Sequence, residues 1–155
     1  MITIAQLREY TNFLKRDIQP INRVLEIMDL DDVKDDLSGI KKEDNMLLYM
    51  VIPEATVDSS NQEAIKDYTT IHWLVMEKVD RSKGKKEMIN IMSRTQLACI
   101  DIKSHIFNTA RGNGEWSCGS WLREVFNGGD LGIKPLYHMT TLYGWHLTLT
   151  IRNFG

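Results

Sequence analysis

The hydrophobic positions along the chain change period several times, and each change marks an element. Behind Thr3, a candidate N-cap, Ile4, Leu7, Thr11, Leu14 and Ile18 recur at helical spacing, with Tyr10 and Phe13 beside them. Pro20 ends or kinks this helix near Gln19. Ile21, Val24, Leu25 and Met28 continue as a second short helical stripe. The acidic segment from Asp29 to Leu37 follows, as one more helical turn or a loop. Met46 to Ile52 is a continuous apolar run closed by Pro53, which predicts a strand. Glu54 to Asp67 is polar and centred on Asp58-Ser59-Ser60-Asn61, which predicts an exposed, mobile loop.

Thr69 to Val79 alternates, with Ile71, Trp73, Val75 and Val79 on one face and Leu74 and Met76 on the other. Two apolar faces predict a central strand covered on both sides. After the basic turn Arg81 to Lys86, the spacing predicts a long helix from Lys85 to Ala110. Met88, Met92, Thr95, Cys99, Ile102 and Ile106 form its buried stripe, widened by Ile89, Ile91, Ile100 and Phe107. At about 1.5 Å per residue this helix is roughly 39 Å long, more than a small sheet needs. Gly112 and Gly114 stop it. Trp116 to Phe126 holds a short helix, and Asn127 to Asp130 is a break. Ile133 to Thr140 reads as a strand at a sheet edge because of Pro135. Gly144 marks a turn or bulge, and Trp145 to Arg152 alternates cleanly. There Trp145, Leu147, Leu149 and Ile151 face the core, while His146, Thr148, Thr150 and Arg152 face water.

These elements predict a single α+β domain over residues 1–155, with no internal repeat or linker. A small sheet of about four strands carries the long helix across one face, with an N-terminal helical segment beside it. Trp73, Val75, Met92, Cys99, Ile102, Leu147 and Leu149 are its expected core. Apolar residues make up 43% of the chain, enough for a core without disulfides. A net charge of −2 gives no global basic field to attract nucleic acid. The first residues lack the apolar run of a signal peptide, and no segment is apolar enough to span a membrane. Cys99 and Cys118 therefore read as reduced, partly buried thiols of an intracellular protein.

Motifs that carry chemistry are incomplete. A calcium loop begun at Asp29 has Asp31 at its third position, but Val33 and Lys34 at the fifth and sixth. His72, His105, His138 and His146 form no short zinc pair, and the cysteines form no Cys-x-x-Cys. His72 and His146 can still meet if their strands are neighbours. Ser117-Cys118-Gly119-Ser120-Trp121 resembles a cysteine-protease signature without its nucleophile. Glu115 replaces the first glycine of a Gly-x-Ser-x-Gly elbow. The basic turn lacks P-loop spacing and interleaved aromatics, so it reads as a solvated turn or as an electrostatic contact for an acidic partner surface or DNA. Neither a catalytic residue, a metal ligand nor a cofactor is expected. Leu97 stands out because it centres a polar helix face of Lys86, Asn90, Arg94, Asp101 and Ser104, as at a subunit contact.

The order of elements resembles the small neck proteins of bacteriophages: tail terminator, tail completion and head–tail connector subunits. Four features carry the resemblance: the N-terminal helix Ile4 to Ile18, the aromatic-centred strand Thr69 to Val79 ending in a charged turn, the long helix from Lys85, and the last strand introduced by Leu142-Tyr143-Gly144-Trp145. The resemblance implies a non-catalytic virion protein, assembled in the host cytoplasm, whose subunits form a ring with other neck or tail proteins. It implies no membrane, and no nucleic acid beyond DNA passing through a ring lumen. The expected interface comprises Leu97, the basic Arg81, Lys83, Lys85 and Lys86, the acidic Asp31, Asp32 and Asp35, and Trp116 and Trp121. Opposite charges on one chain suit a head-to-tail contact. The alternatives are a small enzyme using His72, His146 and Glu77, and an adaptor that takes a peptide along a strand edge.

Overall fold

A computed structural model describes residues 2–36, 39–58, 66–112, 121–122, 131–139 and 141–153. The chain begins with α1 (Ile4–Asp17), capped by a reciprocal pair. The Thr3 hydroxyl accepts from the Gln6 backbone N–H, and the Gln6 side chain accepts from that of Thr3. There follow β1 (Ile21–Ile27), α2 (Asp32–Asp36), β2 (Met46–Asp58), β3 (Lys66–Lys78), α3 (Gly84–Ala110), β4 (Leu131–Met139) and β5 (Leu142–Asn153). Five strands form one mixed sheet in the order β1-β2-β3-β5-β4. The β1–β2 pair is parallel and every other pair antiparallel. The fold is thus α+β, with the long helix across the sheet and an N-terminal helix beside it.

The fifth strand is β1, where the spacing of Ile21, Val24, Leu25 and Met28 predicts a helix. Its register with β2 shifts between Ile21 and Arg23. A bulge inverts the alternation, so a broken period of two mimics a helical one. Pro53 likewise does not end β2: the strand continues to Asp58, with the β2–β3 register shifting between Val51 and Glu54. A residue without an N–H is tolerated at such a shift. β3 begins at Lys66, so the predicted loop shrinks, and 59–65 lie outside the described residues. Gly144 lies within β5, opposite Met76, and not in a turn before the strand. A Cβ there would stand 1.9 Å from the Val75 carbonyl oxygen, so only glycine permits this approach. β4 is an edge strand, as Pro135 predicts.

β3 is central, and its alternation sorts two cores. Ile71, Trp73 and Val75 meet α1, α3, Leu147, Leu149 and Ile151 on one face. Leu74 and Met76 meet Leu47, Tyr49 and Leu142 on the other, under Val33 and Ile40 from the connection between β1 and β2. Met92, expected in the core, is half-buried at the margin, where its carbonyl accepts the Trp145 indole N–H at 2.8 Å. The Trp73 indole donates to the Thr11 hydroxyl at 3.0 Å, and that hydroxyl donates to the Leu7 carbonyl at 2.8 Å. This buried relay fixes α1 to the central strand. Gly112, with φ of 75°, ends α3 in the left-handed conformation that glycine tolerates best. The predicted helix from Trp116 and the break at Asn127 lie outside the described residues, except for Trp121 and Leu122.

Candidate functional site

The outer surface of α3 is the first candidate. Leu97 is 60% exposed, consistent with its place on a polar face. Ile89 and Ile100 are not part of the buried stripe where the sequence places them; they are 57% and 46% exposed. At about 100° per residue, Ile89, Ser93, Leu97, Ile100 and Ser104 fall within an arc of about 80°. The buried residues Ile91, Thr95, Ala98, Cys99, Ile102 and Ile106 centre on the opposite side of the helix. All five outer residues are exposed, and the strip carries no charge from Glu87 to Ala110. The Ser104 hydroxyl donates to the Ile100 carbonyl at 3.0 Å, so it is satisfied within the helix. A helix with two opposed apolar stripes is built to touch something on both sides. Ile89 and Ile100 therefore lie beside Leu97 on the helix surface.

Arg94 and Asp101 flank this strip on one side. Arg94 reaches Glu77 on β3, with its Nε 2.8 Å from both carboxylate oxygens and its Nη2 2.5 Å from one. Glu77 is buried, and its carboxylate raises the Arg94 pKa chiefly through this hydrogen bond. Asp101 is exposed and forms no ion pair among the described residues.

The charged candidates separate. Arg81, Lys83, Lys85 and Lys86 are exposed at the start of α3. Lys42, distant in sequence, joins them: its Nζ lies 3.4 Å from Asp80. The neighbouring Lys42 ammonium holds the Lys83 pKa below its ordinary value. Bonds from Ser82 hold Asp80 below the usual carboxylate range. Asp31 is exposed, 3.4 Å from Lys34. Asp32 serves the turn instead of a contact, accepting from the backbone N–H groups of Met28 (2.7 Å) and Asp29 (3.2 Å). The Asp35 side chain and all of Trp116 and Cys118 lie outside the described residues. Trp121, expected on the contact surface, packs inward: its ring meets Tyr10 edge-on at 5.7 Å at the margin of the core.

The second candidate is a cleft on the other sheet face. His72 on β3 and His146 on β5 stand diagonally across paired strands, with Nδ1 of one 2.8 Å from Nε2 of the other. Burial, then the nearby His72 and Lys134, push the His146 pKa down to about 4. His146 is therefore neutral at pH 7, and one N–H···N bond joins the rings. The pair lines a cleft of ≈ 490 Å³ with Met28, Asp29, Leu30, Asp31, Val51 and Ile52. That volume suits a small ligand. Glu77 does not complete the site, because it lies on the α3 side of the sheet. The Asp29 carboxylate is occupied by the turn, accepting from the N–H groups of Asp31 and Asp32. Among the described residues no three His, Cys, Asp or Glu converge as metal ligands. None of the described helices is long and apolar enough to cross a membrane. Comparison of the chain with protein-family models, curated protein sequences and solved structures finds no match.

Proposed function

We propose that the chain is a structural subunit of a bacteriophage neck or tail end that works by contact with copies of itself and with other ring proteins. The observation that supports this reading best is the uncharged outer strip of α3, set opposite the helix's buried stripe. The element order carries the resemblance to neck subunits: an N-terminal helix, a central aromatic strand ending in a charged turn, a long helix and a last strand. The occupant of the strip is a second copy. Exposed Lys83, Lys85 and Lys86 at one site and exposed Asp31 at another give the copies complementary charges for register. Exposed ion pairs contribute only about 0–1 kcal/mol each, so the apolar strip supplies the affinity.

The test is Leu97→Glu. An exposed position tolerates the change within about 0.5 kcal/mol of stability. The variant should melt like the wild type yet lose self-association in light scattering and lose incorporation into assembled particles. A variant that assembles as efficiently as wild type removes Leu97 from any interface. The paired histidines and their cleft favour a second reading, a small-ligand site. Under that reading His146→Ala abolishes binding in a small-molecule screen while self-association is unchanged.

A further inference from the structure

We infer that the outer strip of α3 pairs with the same strip of a second copy, antiparallel, about a two-fold axis between Gln96 and Leu97. The inference rests on the reading of the chain as a self-assembling subunit and specifies the geometry of one contact. It follows from the order of side chains along the strip. A two-fold at that point sets Ile89 of each copy against Ser104 of the other, and Ile100 against Ser93. Each of the two isoleucines then meets a serine, twice over, and Leu97 packs beside its own mate on the axis. An isologous contact needs such self-complementarity, because each residue must suit its symmetry partner. Shifting the axis by about half a helical turn, to a point between Arg94 and Thr95, sets Ile89 against Ile100 and loses the match.

The flanking charges agree with the same axis. Arg94 and Asp101 lie on one side of the strip, and an antiparallel two-fold brings like flanks together. Arg94 of one copy then falls within about one helical turn of Asp101 of the other, in both directions. Glu77 occupies Nε and Nη2 of Arg94 and Glu87 lies 3.8 Å from Nη2, while the side chain remains 46% exposed. Asp101 has no competing ion pair among the described residues. Helices with interlocking ridges of this kind cross at a shallow angle of about 20°. One helix pair buries less than the roughly 1,200 Å² of a stable interface, so the contact is weak alone. It gains strength when a second, head-to-tail contact closes a ring, and the combination of the two has dihedral symmetry.

Cysteine cross-linking under mild oxidation tests the geometry, in the full chain with Cys118→Ser. Cys99 is buried and its thiol pKa is pushed up to about 12, so it does not compete. Leu97→Cys should form a covalent dimer. Ile89→Cys and Ser104→Cys should each stay monomeric alone, since each lies about 22 Å along the axis from its own mate. A mixture of those two should cross-link. Asp101→Arg should lower the Leu97→Cys dimer yield severalfold by setting like charges together. Cross-linking of Ile89→Cys with itself, or an unreactive Ile89→Cys and Ser104→Cys mixture, overturns the two-fold. The assembly reading is judged separately by Leu97→Glu: a lost assembly with the wrong cross-links sinks only the geometry, and an unaffected assembly sinks both.

Discussion

Replacing Thr11 with valine should cost more than replacing it with serine, although valine keeps the volume of threonine and serine does not. The Thr11 hydroxyl is fully buried, accepts the Trp73 indole N–H at 3.0 Å and donates to the Leu7 carbonyl. An indole nitrogen can only donate. Thr11→Val leaves this buried donor without an acceptor, a loss of about 1–3 kcal/mol. The Leu7 carbonyl keeps its helical partner, so little more is lost there. Thr11→Ser retains the hydroxyl and removes one methyl group, worth about 0.8 kcal/mol. For a domain of this size each kcal/mol lowers Tm by about 2–4 °C. The valine variant should therefore melt roughly 2–12 °C below wild type and the serine variant about 2–3 °C below it. Thermal and urea unfolding followed by tryptophan fluorescence measure both. If serine proves the more damaging change, shape and not the hydrogen bond governs this site, and the relay does not fix α1 to the sheet.

Three further outcomes follow from the packing of the sheet. A chain ending at Gly144 should fail to fold, because β5 contributes buried Leu147, Leu149 and Ile151 and half-buried Trp145. At about 1.5–3 kcal/mol each these side chains rival the stability of a whole domain; a cooperative melt from the shortened protein would contradict this. Gly144→Ala should lower stability by about 1–3 kcal/mol or more in urea titration, since its Cβ would press on the β3 backbone. The His146 pKa, about 4 when folded, lies below its ordinary value of 6.5. Its neutral form is thus favoured by folding: that contribution is whole above about pH 6.5 and is lost as pH falls through 4. His72, Lys134, Asp29 and Asp31 are the charged or titratable groups near it. His146→Gln should flatten the stability-versus-pH curve in this window, and an unchanged curve places the titration elsewhere.

How much of this was legible depends on how local each signal is. The α3 boundaries and the two faces of β3 follow from unbroken periods over many residues, so the sequence predicts both. β1 is hidden because a bulge between Ile21 and Arg23 corrupts a period only seven residues long. Pro53 reads as a terminator because a linear pattern cannot tell a strand end from an internal register shift. The meeting of His72 and His146 depends on which strands pair, and the sequence supplies only the condition for it. Lys42 joins the basic turn across 38 residues, and no local charge pattern announces that. Ile89 and Ile100 were within reach: their angles put them with Leu97, but a stripe read by counting threes and fours absorbs any nearby isoleucine.

The place of β5 between β3 and β4 has a kinetic consequence. β2 and β3 are neighbours in sequence and can zip together early as a local hairpin. The other edge of β3 must wait for a strand whose side chains lie 74 residues away, as His72 and His146 do. Closing so long a loop is entropically slow, and folds dominated by such pairings form slowly. Until β5 inserts, β3 presents an unpaired edge beside the bare flank of Trp73, which is a template for wrong strands as much as for the right one. The slow, concentration-sensitive phase of refolding should therefore be the arrival of β5, and dilution should improve the yield of native protein.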